Sequence, residues 1–128
     1  VIPLHPRAKS MLNNFNLEYL LNGLQVLNPL SYLEMQSLMS SCKAVLTDSG
    51  GLQKEAMWHQ KPCLTLRNDT EWKETVEMGW NILVGVDKNN ILNAWNKLSV
   101  PNSDDIYCYG NGNAAELIVD QLLESIDI

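Results

Sequence analysis

Short apolar runs alternate along the chain with longer segments in which apolar residues recur at helical spacing. The runs are apolar on both faces, which is typical of strands in a parallel sheet with helices on both of its faces. They cover residues 2–4, 24–27, 44–47, 63–66 and 82–84. The segments predicted as helices cover residues 8–14, 31–41, 52–59, 71–78, 88–98 and 110–126. This alternation predicts an α/β fold of the Rossmann-like kind, with one parallel sheet between helices.

Length and composition fit a single domain over residues 1–128. Hydrophobic residues make up 45% of the 128 residues, a normal share for a globular domain that buries its own core. The helix predicted over residues 110–126 closes this domain. No apolar run approaches the roughly 20 residues that a membrane-spanning helix needs, so a membrane is not expected as a partner.

The formal net charge is −6, and an acidic surface argues against nucleic acids and anionic membranes as partners. A small anionic ligand is compatible with this charge, because backbone amides hold phosphate groups without net positive charge. The three cysteines, Cys42, Cys63 and Cys108, form no CxxC pair. They predict reduced thiols and a cytoplasmic location. The cysteines and the two histidines lack metal-ligand spacing, and neither a metal nor another cofactor is expected.

The strongest local signal is Asp48-Ser49-Gly50-Gly51, where the third apolar run ends and a helix begins. Glycines at this point let the backbone approach a ligand closely or adopt a positive φ. The first turn of the helix offers free amides and the positive end of the helix dipole, which suit a phosphate. Glu55 follows about one turn later and is suited to accept hydrogen bonds from ribose hydroxyls. The alternative is a tight strand–helix turn in which Ser49 or Asp48 only caps the helix.

Two further segments follow predicted strands, at the edge where sheets of this kind bind ligands. Arg67, after the fourth run, either neutralises a phosphate or pairs with a neighbouring acid, and Glu74 lies in the same segment. After the first run, His5-Pro6-Arg7 is predicted to form a turn. A histidine beside a proline is more often structural than functional, but its place at the end of a strand makes His5 a candidate.

Together, these segments resemble the non-hydrolysing UDP-N-acetylglucosamine 2-epimerases along nearly the whole chain. The most specific matching pieces are Asp48-Ser49-Gly50-Gly51-x-Gln53 and Thr70-Glu71-Trp72. The other matching pieces are His5-Pro6-Arg7, Pro29-Leu30-x-Tyr32, Glu55-Ala56, Lys61-Pro62-x-Leu64-x-Leu66-Arg67, Glu74-Thr75-Val76 and Tyr109-Gly110-Asn111-Gly112-x-Ala114-Ala115. Two residues depart from the commonest pattern. Lys54 stands where many members have a second glutamate, and Trp72 where some members have an arginine and others also have a tryptophan.

The resemblance implies the C-terminal half of a two-domain GT-B-type architecture, with the active site in the cleft between two Rossmann-like domains. Residues 1–128 then belong to the second domain, and its start and the whole first domain are expected to lie outside them. The implied ligand is UDP or a UDP-N-acetylhexosamine. The residues implied at this ligand are His5, Arg7, Ser49, Gly50, Gly51, Glu55, Arg67 and Glu74. Ser49, Gly50 and Gly51 are implied at the diphosphate, and Glu55 at the ribose.

The implied reaction interconverts UDP-N-acetylglucosamine and UDP-N-acetylmannosamine, for cell-surface polysaccharide biosynthesis. Because C2 of the sugar carries no acidic proton, the resemblance implies elimination of UDP to give a glycal, followed by re-addition on the other face. The carboxylates that move the C2 proton are expected in the missing first domain, so His5 is the one catalytic candidate here. The chain alone is therefore expected to bind UDP without epimerising, and the full-length enzyme to be a homodimer.

Three other interpretations stay open from the sequence. The first is the C-terminal donor-binding domain of a GT-B glycosyltransferase, which transfers the sugar to an acceptor. The second is a hydrolysing relative, which releases UDP and N-acetylmannosamine. The third is a non-catalytic nucleotide-sugar-binding module that completes a separately encoded first half. Product analysis of a full-length enzyme separates the epimerase, the glycosyltransferase and the hydrolysing relative, whereas an adjacent reading frame for the first half would support the non-catalytic module.

Overall fold

The computed structural model of the chain describes residues 1–102 and 108–126, which form two compact units, Val1–Ser41 and Cys42–Ile128. The first unit contains β1 (Ile2–Pro3), α1 (Pro6–Asn14), a 3-10 helix (Glu18–Leu21), β2 (Val26–Leu27) and α2 (Tyr32–Ser41). The second contains β3 (Val45–Thr47), α3 (Gly50–Trp58), β4 (Cys63–Thr65), α4 (Lys73–Glu77), β5 (Asn81–Leu83), α5 (Lys88–Asn96) and α6 (Ala114–Ser125). The predicted α/β class with parallel strands is confirmed. A single domain over residues 1–128 stays a prediction.

The first unit pairs two short parallel strands, in which Ile2 is in register with Val26. α1 begins soon after β1 because Pro6, near its first position, has a fixed φ that suits the start of a helix. The predicted turn at residues 5–7 is therefore wrong. His5 is the N-cap residue of α1, and Arg7 already lies inside the helix.

Three parallel strands in the order β3-β4-β5 form the sheet of the second unit. α3 packs against β3 and β4, α4 against β5, and α5 against β4. Among the residues of this unit that the structure describes, the buried apolar side chains are Ala56, Met57, Cys63, Leu64, Trp80 and Val84. The sequence predicted one sheet, whereas backbone hydrogen bonds join the strands into separate sheets of two and three strands.

Helix boundaries differ from the predicted ones, most clearly in α3 and α6. α3 begins at Gly50, so the two glycines predicted to precede this helix lie inside it. α6 begins at Ala114 and ends at Ser125, not over residues 110–126. The reason is that Gly110 and Gly112 have φ of +96°, which is outside the range of a right-handed helix. Among the described residues, no helix is both long and apolar enough to cross a membrane.

Candidate functional site

The carboxyl ends of β3 and β4 lie side by side and lead into the two segments with the strongest ligand-binding signal. Thr47 and Thr65, the last residues of these strands, are in register. The amide of Leu66 donates to the carbonyl of Thr47 at 2.9 Å. The chain then enters α3 from one strand and the loop 66–72 from the other. The sheet therefore brings the start of α3 and this loop to one edge, where parallel sheets bind ligands.

Ser49 is the N-cap residue of α3 and has an extended backbone, with φ of −78° and ψ of 126°. Its amide donates to the hydroxyl of Thr47 at 3.0 Å. Ser49 thus holds the N-cap position that the capping alternative gave it, but its hydroxyl makes no capping bond to α3 within the described part of the chain. Ser49 and Gly51 are exposed. The first turn of α3 is therefore open to solvent at these residues, and its amides suit an anion.

Because Gly50 has no side chain, Glu71 and Trp72 of the loop 66–72 can lie against the start of α3. Gly50 and Gly51 are the first residues of α3, and neither is among the glycines with positive φ. A Cβ at Gly50 would collide with the carboxylate of Glu71 and would lie 3.2 Å from Nε1 of Trp72. A Cβ at Gly51 would lie 4.0 Å from the hydroxyl of Ser49, an ordinary contact distance. Of the two glycines, Gly50 is thus the one that the neighbouring loop approaches closely.

Arg67 pairs with two acids of its own loop. Its guanidinium lies 3.3 Å from a carboxylate oxygen of Asp69 and 3.2 Å from one of Glu71. Of the two uses predicted for Arg67, pairing with a neighbouring acid is the one that the structure contains. The Arg67 side chain is 35% exposed and that of Glu71 is 49% exposed, so solvent screens the pair and its contribution to stability is small. Through Glu71, however, Arg67 lies near the start of α3.

Glu55 and Glu74 lie on α3 and α4. Glu55 is partly buried, one turn after the start of α3. Glu74 is exposed and accepts a hydrogen bond from the Tyr109 hydroxyl at 2.8 Å. The pKa of Glu74 lies below its usual value of 4.5, first because of a hydrogen bond with its own backbone amide and second because of the Tyr109 hydroxyl. Glu74 therefore connects α4 to the segment that precedes α6.

His5 and Arg7 belong to the first unit, whereas the other predicted site residues belong to the second. The Nδ1 atom of His5 accepts a hydrogen bond from the amide of Arg7 at 3.1 Å, and this contact caps α1. Because Nδ1 is the acceptor, a ring proton of His5 is carried by Nε2. The structural explanation for His5 is thus observed, while ligand contacts of His5 and Arg7 stay predictions.

A buried polar cluster adjoins the start of α3, and the sequence patterns predict no role for it. We call it the Gln53 cluster; its members are Gln53, Thr65, Thr70, Thr75 and Asn81. Gln53, Thr65, Thr75 and Asn81 are at most 2% exposed. Gln53 accepts hydrogen bonds from Thr70 at 2.6 Å and from Asn81 at 2.9 Å. The sequence contained one signal for this cluster, since the polar residues Thr65 and Asn81 lie in the strands β4 and β5. Polar side chains that are buried in a sheet need hydrogen-bond partners.

Lys54 and Trp72, at which the sequence departs from the commonest family pattern, contact each other. The ammonium of Lys54 lies 3.8 Å from the ring centroid of Trp72 and 5.7 Å from that of Tyr109. The two rings meet edge to face, with centroids 5.8 Å apart. These cation–π and aromatic contacts hold the Trp72 ring beside the start of α3.

Proteins with similar sequences are sugar-nucleotide 2-epimerases. The family model for UDP-N-acetylglucosamine 2-epimerase matches residues 1–123. A UDP-N-acetylglucosamine 2-epimerase homolog from Methanococcus maripaludis is 45% identical over 125 residues, covering 95% of this chain and 35% of that protein. The UDP-2,3-diacetamido-2,3-dideoxy-D-glucuronate 2-epimerase of Pseudomonas aeruginosa is 42% identical over 123 residues, covering 95% and 34%.

Solved structures lead to the same family. The UDP-GlcNAc 2-epimerase of Methanocaldococcus jannaschii, in complex with UDP-GlcNAc and UDP, matches with a TM-score of 0.79 at 38% identity over 94% of this chain. The enzyme of Neisseria meningitidis bound to UDP-GlcNAc matches with a TM-score of 0.73 at 34% identity over 96%. The chain spans about a third of their length, 34% and 35% respectively. With a family match over residues 1–123, the chain belongs to the UDP-N-acetylglucosamine 2-epimerase family.

Proposed function

We propose that this chain is the UDP-binding portion of an enzyme that interconverts UDP-N-acetylglucosamine and UDP-N-acetylmannosamine. The observation that carries the proposal is the open first turn of α3 at the carboxyl end of β3, with Ser49 and Gly51 exposed. The relatives support the choice of ligand, because the M. jannaschii enzyme was solved with UDP-GlcNAc and UDP. In this proposal the diphosphate lies at the amides of Gly50 and Gly51, and the Ser49 hydroxyl is an additional donor.

The other predicted residues receive roles that follow from their places around α3. Glu55, one turn into α3, accepts hydrogen bonds from the ribose hydroxyls. Arg67 balances the charge of the diphosphate, and in doing so it exchanges its contact with Glu71 for one with a phosphate oxygen. Three more residues stay in the proposed binding set on the family resemblance alone: His5, Arg7 and Glu74.

Binding of UDP at α3 also defines the part that this chain takes in the reaction. When the bond between C1 and the diphosphate oxygen breaks, its electron pair goes to that oxygen, so negative charge grows on the diphosphate. Amides at the start of a helix and the Arg67 guanidinium stabilise this charge in place. The C2 proton is removed and returned by carboxylates, which we assign to the part of the relatives that this chain does not cover. The chain alone therefore binds UDP but does not epimerise.

The proposal extends to substrate class, assembly and location. The names of two relatives contain different 2-acetamido sugars, so we propose a UDP-activated 2-acetamido sugar as the substrate class. Such a product is a donor for cell-surface polysaccharides, and the full-length enzyme acts as a homodimer.

The three cysteines, Cys42, Cys63 and Cys108, form no disulfide, which supports a cytoplasmic location.

Calorimetric titration with UDP tests the binding site. We expect Ser49→Ala and Glu55→Ala to weaken UDP binding by about 1–3 kcal/mol each, because each loses a buried hydrogen bond to the ligand. Ser40→Ala is a matched control, since the Ser40 hydroxyl donates to the carbonyl of Ser37 within α2. If the chain does not bind UDP, or if the first two variants bind it as well as Ser40→Ala does, the proposed site is wrong.

A second experiment tests the division of labour in the reaction. The purified chain is incubated with UDP-N-acetylglucosamine in deuterated water, and NMR follows the configuration and deuterium content at C2. We expect neither epimerisation nor deuterium exchange. Release of N-acetylmannosamine would indicate a hydrolysing enzyme, and sugar transfer to an added acceptor would indicate a glycosyltransferase. Epimerisation by the chain alone would show that its own residues move the C2 proton.

A further inference from the structure

The Gln53 cluster contains a chain of hydrogen bonds whose direction is fixed. The Thr70 oxygen accepts from the amide of Trp72 at 3.0 Å, and its hydroxyl donates to Oε1 of Gln53 at 2.6 Å. Since Oε1 of Gln53 is an acceptor for both Thr70 and Asn81, the Gln53 amide has one orientation. Its Nε2 then points to the carbonyl of Ser49, at 3.4 Å. One side chain thus connects the N-cap residue of α3 to the loop 66–72.

The same cluster holds the backbone of Trp72 at both of its polar groups. The Thr75 hydroxyl donates to the Trp72 carbonyl at 2.7 Å, and Thr70 accepts from the Trp72 amide. Nδ2 of Asn81 donates to the Thr75 oxygen at 3.1 Å as well as to Gln53. These side chains therefore connect the backbone of Trp72 to β5 and α3, in addition to the backbone bond from the Thr75 amide to the Trp72 carbonyl at 3.1 Å.

Strand β4 completes the set of partners. Thr65 donates to Oδ1 of Asn81 at 2.7 Å, which leaves Nδ2 of Asn81 to face Gln53 and Thr75. The side-chain oxygens of Gln53 and Asn81 face hydrogen-bond donors, and their side-chain nitrogens face acceptors. Turning either amide over would therefore leave some of these groups without a partner. Gln53 and Thr75 are 0% exposed and Asn81 is 2% exposed. At this depth a lost partner leaves an unsatisfied polar group, which resists any shift of the loop.

We propose that Gln53 and Thr70 are positioning residues for UDP binding. They hold the loop 66–72 at a fixed distance from the start of α3, so that Arg67 on the loop and the amides at Gly50 and Gly51 act on one diphosphate. This inference rests on the proposed function, and it adds that the ligand geometry is set by residues that do not touch the ligand. Preorganised donors bind charge more strongly than donors that must be ordered on binding.

Three variants, compared by calorimetric titration with UDP and by urea unfolding, test this proposal. Thr70→Val keeps the shape of the side chain but removes the hydroxyl, so the Trp72 amide and Gln53 each lose a partner. Thr70→Ser keeps the hydroxyl. Leu64→Val trims a core residue of β4 that is 0% exposed and removes no hydrogen bond, so it serves as the control for lost stability.

We expect Thr70→Val to weaken UDP binding by about five- to tenfold, the value of one net hydrogen bond. Thr70→Ser is expected to bind within threefold of the unsubstituted chain, and Leu64→Val likewise despite its lower stability. If Thr70→Val does not fold, Thr70→Ala removes the same hydroxyl at a partly exposed position and carries the same expectation. Unchanged affinity in the folded hydroxyl-free variant, or an equal loss in Leu64→Val, overturns the inference. An unsubstituted chain that does not bind UDP overturns the proposed function and the inference with it.

Discussion

The carboxylate of Glu71 occupies the space into which a side chain at Gly50 would project. The same carboxylate pairs with Arg67 at 3.2 Å. An anionic group of the protein therefore lies at the flank of the helix start that we assign to a diphosphate. Glu71 is 49% exposed and sits at the end of a flexible side chain, so a ligand can displace it.

The first prediction concerns the two glycines of α3. Gly51→Ala should raise the free energy of unfolding by about 0.5–1 kcal/mol, because alanine is a better helix former than glycine and the space is open. Gly50→Ala should gain less or lose stability, because its Cβ must displace Glu71 and crowd Trp72. Urea unfolding of the two variants measures the difference. Equal gains in both would show that Glu71 does not lie against residue 50.

The second prediction concerns competition between Glu71 and the ligand. Glu71→Gln should tighten UDP binding by up to about fivefold, which corresponds to the 0.2–1 kcal/mol typical of an exposed ion pair. The substitution removes a negative charge near the diphosphate and releases Arg67 from one partner. Asp69→Asn is the matched control. It also releases Arg67 from an acid, at 3.3 Å, and so separates this effect from removal of the Glu71 charge beside Gly50. Calorimetry at low salt measures the effect, and a weaker affinity in Glu71→Gln would contradict it.

The third prediction concerns pH. The pKa of Glu74 is lowered in the folded chain, so its contribution to stability is present above about 4.5 and is lost as the pH falls through the lower, folded-state value. Tyr109→Phe removes one of the two hydrogen bonds that lower this pKa. The stability difference between the two proteins should therefore be constant at neutral pH and should shrink below pH 4.5.

An internal control for that experiment is Glu34, whose pKa is lowered by the hydroxyl and the amide of Ser31. NMR titration of side-chain carboxyl groups reports both residues at once. In Tyr109→Phe the pKa of Glu74 should move up towards 4.5, while that of Glu34 should not change. If Glu74 does not move, the contact with Tyr109 is absent in solution.

The fourth prediction concerns the thiols. Burial raises the pKa of Cys63 to about 11, and the residue is 1% exposed, whereas Cys108 is exposed. A thiol reagent at pH 8 should therefore modify Cys108 quickly and Cys63 only on unfolding. Cys42 is partly buried with a raised pKa and should react at an intermediate rate. Cys108→Ser should abolish the fast phase; a fast phase that persists would mean that another thiol is accessible.

Strand β4 was predictable because a strand that is buried on both faces forms a continuous apolar run in the sequence. In β4, all three residues are buried, and the run at residues 63–66 is correspondingly apolar. The start of α6 was not predictable by the same means. The prediction began the helix at Gly110, but the apolar residues at helical spacing begin only at Leu117, and the positive φ of Gly110 and Gly112 places the first helical residue at Ala114. Such a backbone conformation depends on how the chain approaches the helix.

The position of the site was predictable from topology, but its side-chain contacts were not. Parallel strands place their carboxyl ends together, so the proximity of Ser49 to the loop 66–72 follows from the order of the strands. The bond between Thr70 and Gln53, in contrast, joins residues that are 17 positions apart and depends on the exact register of β3 and β4. The contact between Lys54 and Trp72 was unpredictable for the same reason. Taken alone, each sequence position predicts only an ordinary surface or packing residue.

The Gln53 cluster draws its members from α3, β4, the loop 66–72, α4 and β5. The bonds from Thr70 and Asn81 to Gln53 and from Thr65 to Asn81 join residues 17, 28 and 16 positions apart, so they form only when the strands are paired. Opening of the loop is therefore thermodynamically linked to separation of the strands, and this region should exchange its amide hydrogens as one cooperative unit. A short peptide that reproduces only the sequence around Ser49 would have nothing to hold its backbone in place, so the nucleotide site that we propose requires the whole three-stranded layer.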